Sequence, residues 1–131
     1  MCKTIKQTVK FDARPTDVYQ LLADSKKHIA FTKHKASIGK KIGARFSAYS
    51  GHLQGVVVDL APGKRIVQAW RTSKFPVGIF SMATFNFART KKGGTELTLI
   101  HRGVPKELIP GIEAGWRKFY WEPMKEYLKK R

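Results

Sequence analysis

Residues 104–131 constrain the fold more than any other stretch, because they read as one long amphipathic helix introduced by Pro105. At ~100° per residue, Ile109, Ile112, Trp116, Phe119, Tyr120 and Tyr127 share one narrow stripe, while Lys118, Glu122, Lys125 and Lys129 lie opposite. Glu113 with Arg117, and Glu126 with Lys130, have the i, i+4 spacing of an exposed helical face. The aromatic stripe must be buried and therefore needs a broad apolar surface to lie on. Trp121 falls roughly 120° from the stripe, which predicts partial exposure. Pro123 should disturb the helix, since it has no N–H for the carbonyl of Phe119.

The preceding residues supply that surface. Ile5, Gln7, Val9 and Phe11 alternate with Lys6, Thr8 and Lys10, the period of a half-buried strand. Pro15 and Asp17 then suit the first turn of a short helix through Val18, Leu21 and Leu22. A second short helix follows over Ser25–Thr32, with Ile29 and Phe31 as anchors and Asp24 or Ser25 as cap. Strand patterns recur at 45–50, 54–60, 64–72, 80–88 and 95–102, separated by the turn signals Gly51-His52, Pro62-Gly63 and Lys92-Gly93-Gly94. The order predicts an α+β helix-grip: a curved antiparallel sheet of about six strands wrapped around a long C-terminal helix, with two short helices after the first strand.

Strand parity proposes an inward set of Val56, Val58 and Leu60; Ile66, Gln68 and Trp70; Phe85 and Phe87; Leu97, Leu99 and His101. Facing the helix stripe, these side chains either pack solidly or leave a cavity. A cavity would be lined by Phe46, Val58, Ile66, Gln68, Trp70, Phe85, Leu99, His101, Ile112, Trp116 and Tyr120. Its apolar, aromatic lining would suit a lipid-like or other apolar small molecule.

With 131 residues the chain is expected to form one domain, 1–131. No run approaches the ~20 apolar residues of a membrane span, and Met1-Cys2-Lys3-Thr4 leads into alternating sequence without an apolar signal region. The lone Cys2 excludes an internal disulfide and a cysteine-cluster metal site, and is read as an inert thiol. Cytoplasmic localisation is the expectation. A net charge of +17, from 26 Lys and Arg against 9 Asp and Glu, attracts nucleic acid, anionic membrane or an acidic protein. The cations are spread along the chain with no reading motif, so nucleic-acid binding would be non-specific.

Convergent titratable groups are few. His28, His34, His52 and His101 lack metal-ligand spacing, and no cofactor is called for. His101, on the inner parity, is the one candidate acid or base, set against a hydrogen-bonded core histidine. Glu113 would project toward a cavity mouth or pair with Arg117.

Several stretches resemble a known family when taken together and in order. They are Gly43-Ala44-Arg45-Phe46-Ser47, Gly51-His52-Leu53-Gln54-Gly55, the run Leu60-Ala61-Pro62-Gly63-Lys64-Arg65-Ile66-Val67-Gln68-Ala69-Trp70-Arg71, then Thr95-Glu96-Leu97-Thr98-Leu99 through Gly103-Val104-Pro105, and Gly115-Trp116 with Tyr120. The chain resembles, over about residues 5–128, the C-terminal domain of the activators of ninety-kilodalton heat-shock protein ATPase, a START-like (SRPBCC) branch. The resemblance independently implies the helix-grip fold. It implies a non-enzymatic co-chaperone that docks on the nucleotide-binding domains of a heat-shock protein 90-type chaperone and favours its ATP-hydrolysing state. That family's separate N-terminal domain has no counterpart in these residues. The 73–78 loop is the candidate partner contact, through Arg71, Lys74, Phe75, Pro76 and Val77; the resemblance implies tryptophan where Phe75 stands.

Overall fold

The computed structural model describes residues 3–130, so the reading of Cys2 lies outside the described residues. Strand β1 (Ile5–Phe11) is followed by α1 (Pro15–Ala23), which opens on Pro15 and buries Val18, Tyr19, Leu21 and Leu22. Helix α2 (Ser25–Thr32) is capped by Asp24, whose carboxylate accepts the Lys27 N–H at 3.0 Å. Its inner face carries His28, Phe31 and Thr32. Ile29, expected as an anchor, is 39% exposed, because one residue beyond His28 the helix has turned by ~100° toward water.

The remaining strands are β2 (Ser37–Ile38), β3 (Arg45–Ala48), β4 (Leu53–Ala61), β5 (Arg65–Thr72), β6 (Ser81–Arg89) and β7 (Thr95–Arg102). They form one antiparallel sheet in the order β1-β7-β6-β5-β4-β3-β2. Among the described residues seven strands replace the expected six or so, because β2, two residues long, is too short to carry a period-two pattern. Tertiary bonding creates it: the Ile38 N–H donates to Ser25 Oγ at 2.8 Å, and Ser37 and Ile38 pair with Ser47 and Phe46.

Strand β4 also corrects the parity argument. A register shift between Val57 and Asp59 inserts a bulge, so Leu53, Gly55 and Val57 face inward before it and Leu60 packs inward after it. Val58, assigned to the interior from its two-residue spacing with Leu60, is consequently 40% exposed. Glycine at position 55 is dictated by crowding, since a Cβ there would lie 1.8 Å from the Ala69 carbonyl oxygen and 2.6 Å from the Phe46 ring.

The C-terminal helix starts later than expected, after a single 3-10 turn at Lys106–Leu108. It comprises α3 (Ile109–Trp116), one π turn (Arg117–Trp121) and α4 (Glu122–Lys130). The π turn spends an extra residue on one revolution, which rotates the inner face. Trp121 is therefore buried, Phe119 is 46% exposed, and the inner line runs Ile109, Trp116, Tyr120, Trp121, Met124. The extra residue precedes Pro123, and the Phe119 carbonyl that Pro123 cannot serve accepts the Tyr49 hydroxyl. Gln7, on the inner face of β1, accepts the Trp121 indole N–H at 2.7 Å and donates to the Glu113 carbonyl at 2.9 Å. Tyr49→Phe should lower stability by about 1 kcal/mol through loss of this bond, read from the urea midpoint. An unchanged midpoint would show that the hydroxyl does not support the π turn.

Candidate functional site

The helix seats on the sheet through rings. Trp116 lies 5.4 Å from Trp70, 5.6 Å from Phe85, 5.1 Å from Tyr120 and 5.5 Å from Trp121, centroid to centroid. Its indole N–H donates to His101 Nδ1 at 3.1 Å. Because indole can only donate, Nδ1 is the acceptor and the His101 proton sits on Nε2, which donates to Ser81 Oγ at 2.7 Å. The Ser81 hydroxyl passes the chain on to the Trp70 carbonyl at 3.0 Å. His101 is thus a saturated core group, and burial pushes its pKa down to about 3. His28 is buried too but only half satisfied: its Nε2 meets the Tyr120 hydroxyl at 3.0 Å while its Nδ1 has no partner, and burial lowers its pKa to about 4. Burial also raises Tyr49 to about 12 and, with the help of Tyr49, lifts Tyr120 well above its ordinary value.

Strand parity left solid packing and a cavity as alternatives, and this ring cluster divides the space between helix and sheet. At its centre, between Phe46, Gln68, Phe85 and Tyr120, is a void of about 10 Å³, too small for any organic molecule. Ile66 and Gln68 also line a cleft of about 190 Å³ under α1. Trp70, Ile112, Trp116 and Tyr120 border a groove of about 450 Å³ along the outer side of α3, within the size range of small-molecule sites. Leu99 and His101 are fully buried, and Val58 is outside.

Sequence reasoning missed most of the groove. Its other lining residues are Tyr49, Leu53, Thr72 and Phe119, with His34, His52 and Lys74 exposed at the rim and Gly111 and Gly115 along its helical side. Tyr49 reaches it from a turn in which both Tyr49 and Ser50 have left-handed backbones (φ 49° and 56°), a costly conformation for such residues. Its ring lies 5.5 Å from Phe119 and 5.0 Å from His34. A helical glycine costs about 1 kcal/mol relative to alanine, so two of them one turn apart were a legible signal.

The 73–78 loop splits its expected roles. Phe75 is buried against Trp70, 5.9 Å away, and acts as the loop's anchor. The Arg71 guanidinium ties the loop down by donating to the carbonyls of Phe75, Pro76 and Ile79, at 3.0, 2.9 and 3.2 Å, and lies over the Phe80 ring. What remains outside is Val77, 97% exposed, with Ile79, Phe80 and Met82 beside it. Lys74 turns to the groove rim. Glu113 pairs with Lys3 at 3.1 Å rather than with Arg117, so it does not project toward a cavity. Among the described residues no three His, Cys, Asp or Glu gather as a metal site, and no helix is long and apolar enough to cross a membrane.

The two buried histidines give stability a definite pH dependence. Their native pKa values lie below the ~6.5 of an unfolded histidine, so on acidification the unfolded chain binds protons first. Stability present above about pH 6.5 is lost as pH falls toward about 4 for His28 and about 3 for His101. Urea unfolding at pH 5 should show about 2 kcal/mol less stability per histidine than at pH 7, and His28→Gln should flatten part of that slope. Equal stability at the two pH values would contradict the neutral assignment.

Comparison with known proteins places the chain. Residues 12–129 match the family described as Activator of Hsp90 ATPase homolog 1-like protein. The chain is 33% identical to Activator of 90 kDa heat shock protein ATPase homolog 1 of Homo sapiens over 126 residues, 95% of this chain and 36% of that protein. It is 33% identical to the Dictyostelium discoideum activator homolog over 116 residues, 88% of this chain and 30% of that protein. The chain therefore spans about a third of the length of these relatives. Among solved structures, an HSP90 activator from Plasmodium falciparum superimposes with a TM-score of 0.91 at 19% identity, covering 96% of each chain. The Aha1 dimer from Colwellia psychrerythraea gives 0.79 at 16% identity, over 95% of this chain and 94% of that one. With the family's sequence pattern over nearly the whole chain and the helix-grip fold of these neighbours, the protein belongs to the activator of Hsp90 ATPase homolog 1-like family.

Proposed function

We propose that this chain is a non-enzymatic co-chaperone that binds an Hsp90-type chaperone and promotes its ATPase cycle. The observation that carries the reading is the 33% identity, across 95% of the chain, to a protein named as an activator of that ATPase. Non-enzymatic action agrees with His28 and His101 being held neutral inside the core rather than presented to a substrate. The compartment of action in this reading is the cytoplasm, shared with the chaperone.

The contact is assigned to the 73–80 loop and the basic surface around it. Val77 at the tip, with Ile79 and Phe80, offers an apolar knob, and the clasp by Arg71 presents it with little ordering left to lose on binding. A net charge of +17 steers such a protein toward an acidic partner face and makes association sensitive to salt.

Purified Hsp90-type chaperone should bind this protein, and its ATP hydrolysis should accelerate when the protein is in excess. Val77→Asp should weaken binding by about tenfold without changing the urea midpoint, since Val77 touches no core residue. Absence of binding at low salt, together with an unaltered hydrolysis rate, would overturn the co-chaperone reading. Wild-type affinity in Val77→Asp and Phe80→Ser would move the contact elsewhere.

A further inference from the structure

The groove beside α3 is built at a cost that neither backbone conformation nor packing requires. Gly111 and Gly115 lie one helical turn apart on the face bordering it, and neither has the positive φ that demands glycine. Packing does not demand it either. A Cβ on Gly111 would meet nothing within 4 Å, and one on Gly115 would touch only the Phe119 ring, at an ordinary 3.6 Å. What the two glycines do is leave the helical side of a space of about 450 Å³ bare.

The walls and rim of that space differ in chemistry. Tyr49, Trp70, Trp116 and Phe119 present ring surface, and the Tyr49 hydroxyl bond to the Phe119 carbonyl fixes two of those walls to each other. At the mouth stand Lys74, His34 and His52, all exposed, with the His52 ring oriented by a 2.6 Å contact to Ser73 Oγ. Among the described residues no carboxylate lines the groove. An apolar trough with a cationic mouth and no acid complements a molecule with an apolar body and one anionic end.

We infer that this groove binds a small amphipathic organic anion with an apolar body and one anionic head. The aromatic or acyl body lies on Gly111 and Gly115 between the rings, and the anionic head meets Lys74 with His34 and His52. The filled interior under the helix takes no part. The charge of Lys74 sets the preference for an anion, and the glycines set the depth available to the apolar body.

Two fluorescent probes of nearly equal shape separate these roles: 8-anilinonaphthalene-1-sulfonate, which is anionic, and N-phenyl-1-naphthylamine, which is not. The full chain should bind each at one saturable site. Gly111→Leu and Gly115→Leu should weaken both probes by about tenfold or more, with circular dichroism and the urea midpoint confirming a folded protein. If a leucine variant fails to fold, Gly111→Ala and Gly115→Ala together make the same test more mildly, with helix propensity in their favour. Lys74→Met should weaken the anionic probe alone. Binding of both probes that is unaffected by the glycine substitutions would overturn the site and reduce the signal to adsorption on a basic surface. Equal affinity of the anionic probe for wild type and Lys74→Met would overturn the anionic specificity.

Discussion

The hydrogen bond from the Trp116 indole to His101 fixes how the C-terminal helix meets the sheet. An indole buried to this depth must find an acceptor, and the nearest wall of a hydrophobic sheet offers none except a side chain placed on purpose. His101 supplies one, and Ser81 and the Trp70 carbonyl complete its bonding, so a polar chain crosses the core with each of these groups satisfied. The rings of Trp70, Phe85, Tyr120 and Trp121 then crowd around Trp116 and fill the concavity that a helix-grip would otherwise leave open. Specific orientation comes from the polar chain, while most of the stabilisation comes from the buried ring area.

Seating Trp116 in this way has consequences along the helix. Trp121 can stack on Trp116 only if the helix gains a residue between them, which is the π turn, and Pro123 makes that extra residue cheaper by removing a competing α-helical bond. Tyr49 and Gln7 take up the polar groups that the irregular segment leaves, one from each side of the helix. The left-handed turn at Tyr49 follows from the same need, since it carries the ring from the end of β3 across to Phe119. Groove and plug are thus two faces of one device: the inner side is sealed by aromatic packing, and the outer side is held open by Gly111 and Gly115.

Much of this was legible in the sequence where a single period governs an element. The alternation of Ile5 through Phe11, the inward set Ile66, Gln68 and Trp70, and the pair Leu99 and His101 came straight from the two-residue repeat. Periodicity failed where something interrupts it. Val58 sits at a bulge, Trp121 and Phe119 lie in or beside the π turn, and β2 exists only through pairing and the Ser25 hydroxyl. Gln7 shares a face of β1 with Ile5, Val9 and Phe11, and its bonds to the Trp121 indole and the Glu113 carbonyl are contacts that a strand period does not reveal. The groove was legible only at Trp70, Ile112, Trp116 and Tyr120 and in the spacing of Gly111 and Gly115, because its remaining walls come from separate segments.

Two surfaces are distinct on this small protein: a sealed grip whose helix cannot be lifted without breaking the Trp116–His101 bond, and an outward loop, clasped by Arg71, that carries the apolar tip at Val77. Backbone and indole NMR of the labelled protein, titrated with purified Hsp90-type chaperone, tests that separation most directly. Shifts or broadening concentrated at residues 76–82, with the Trp116 indole N–H unmoved, are the predicted result. Perturbation of the Trp116 indole with residues 76–82 silent would contradict it.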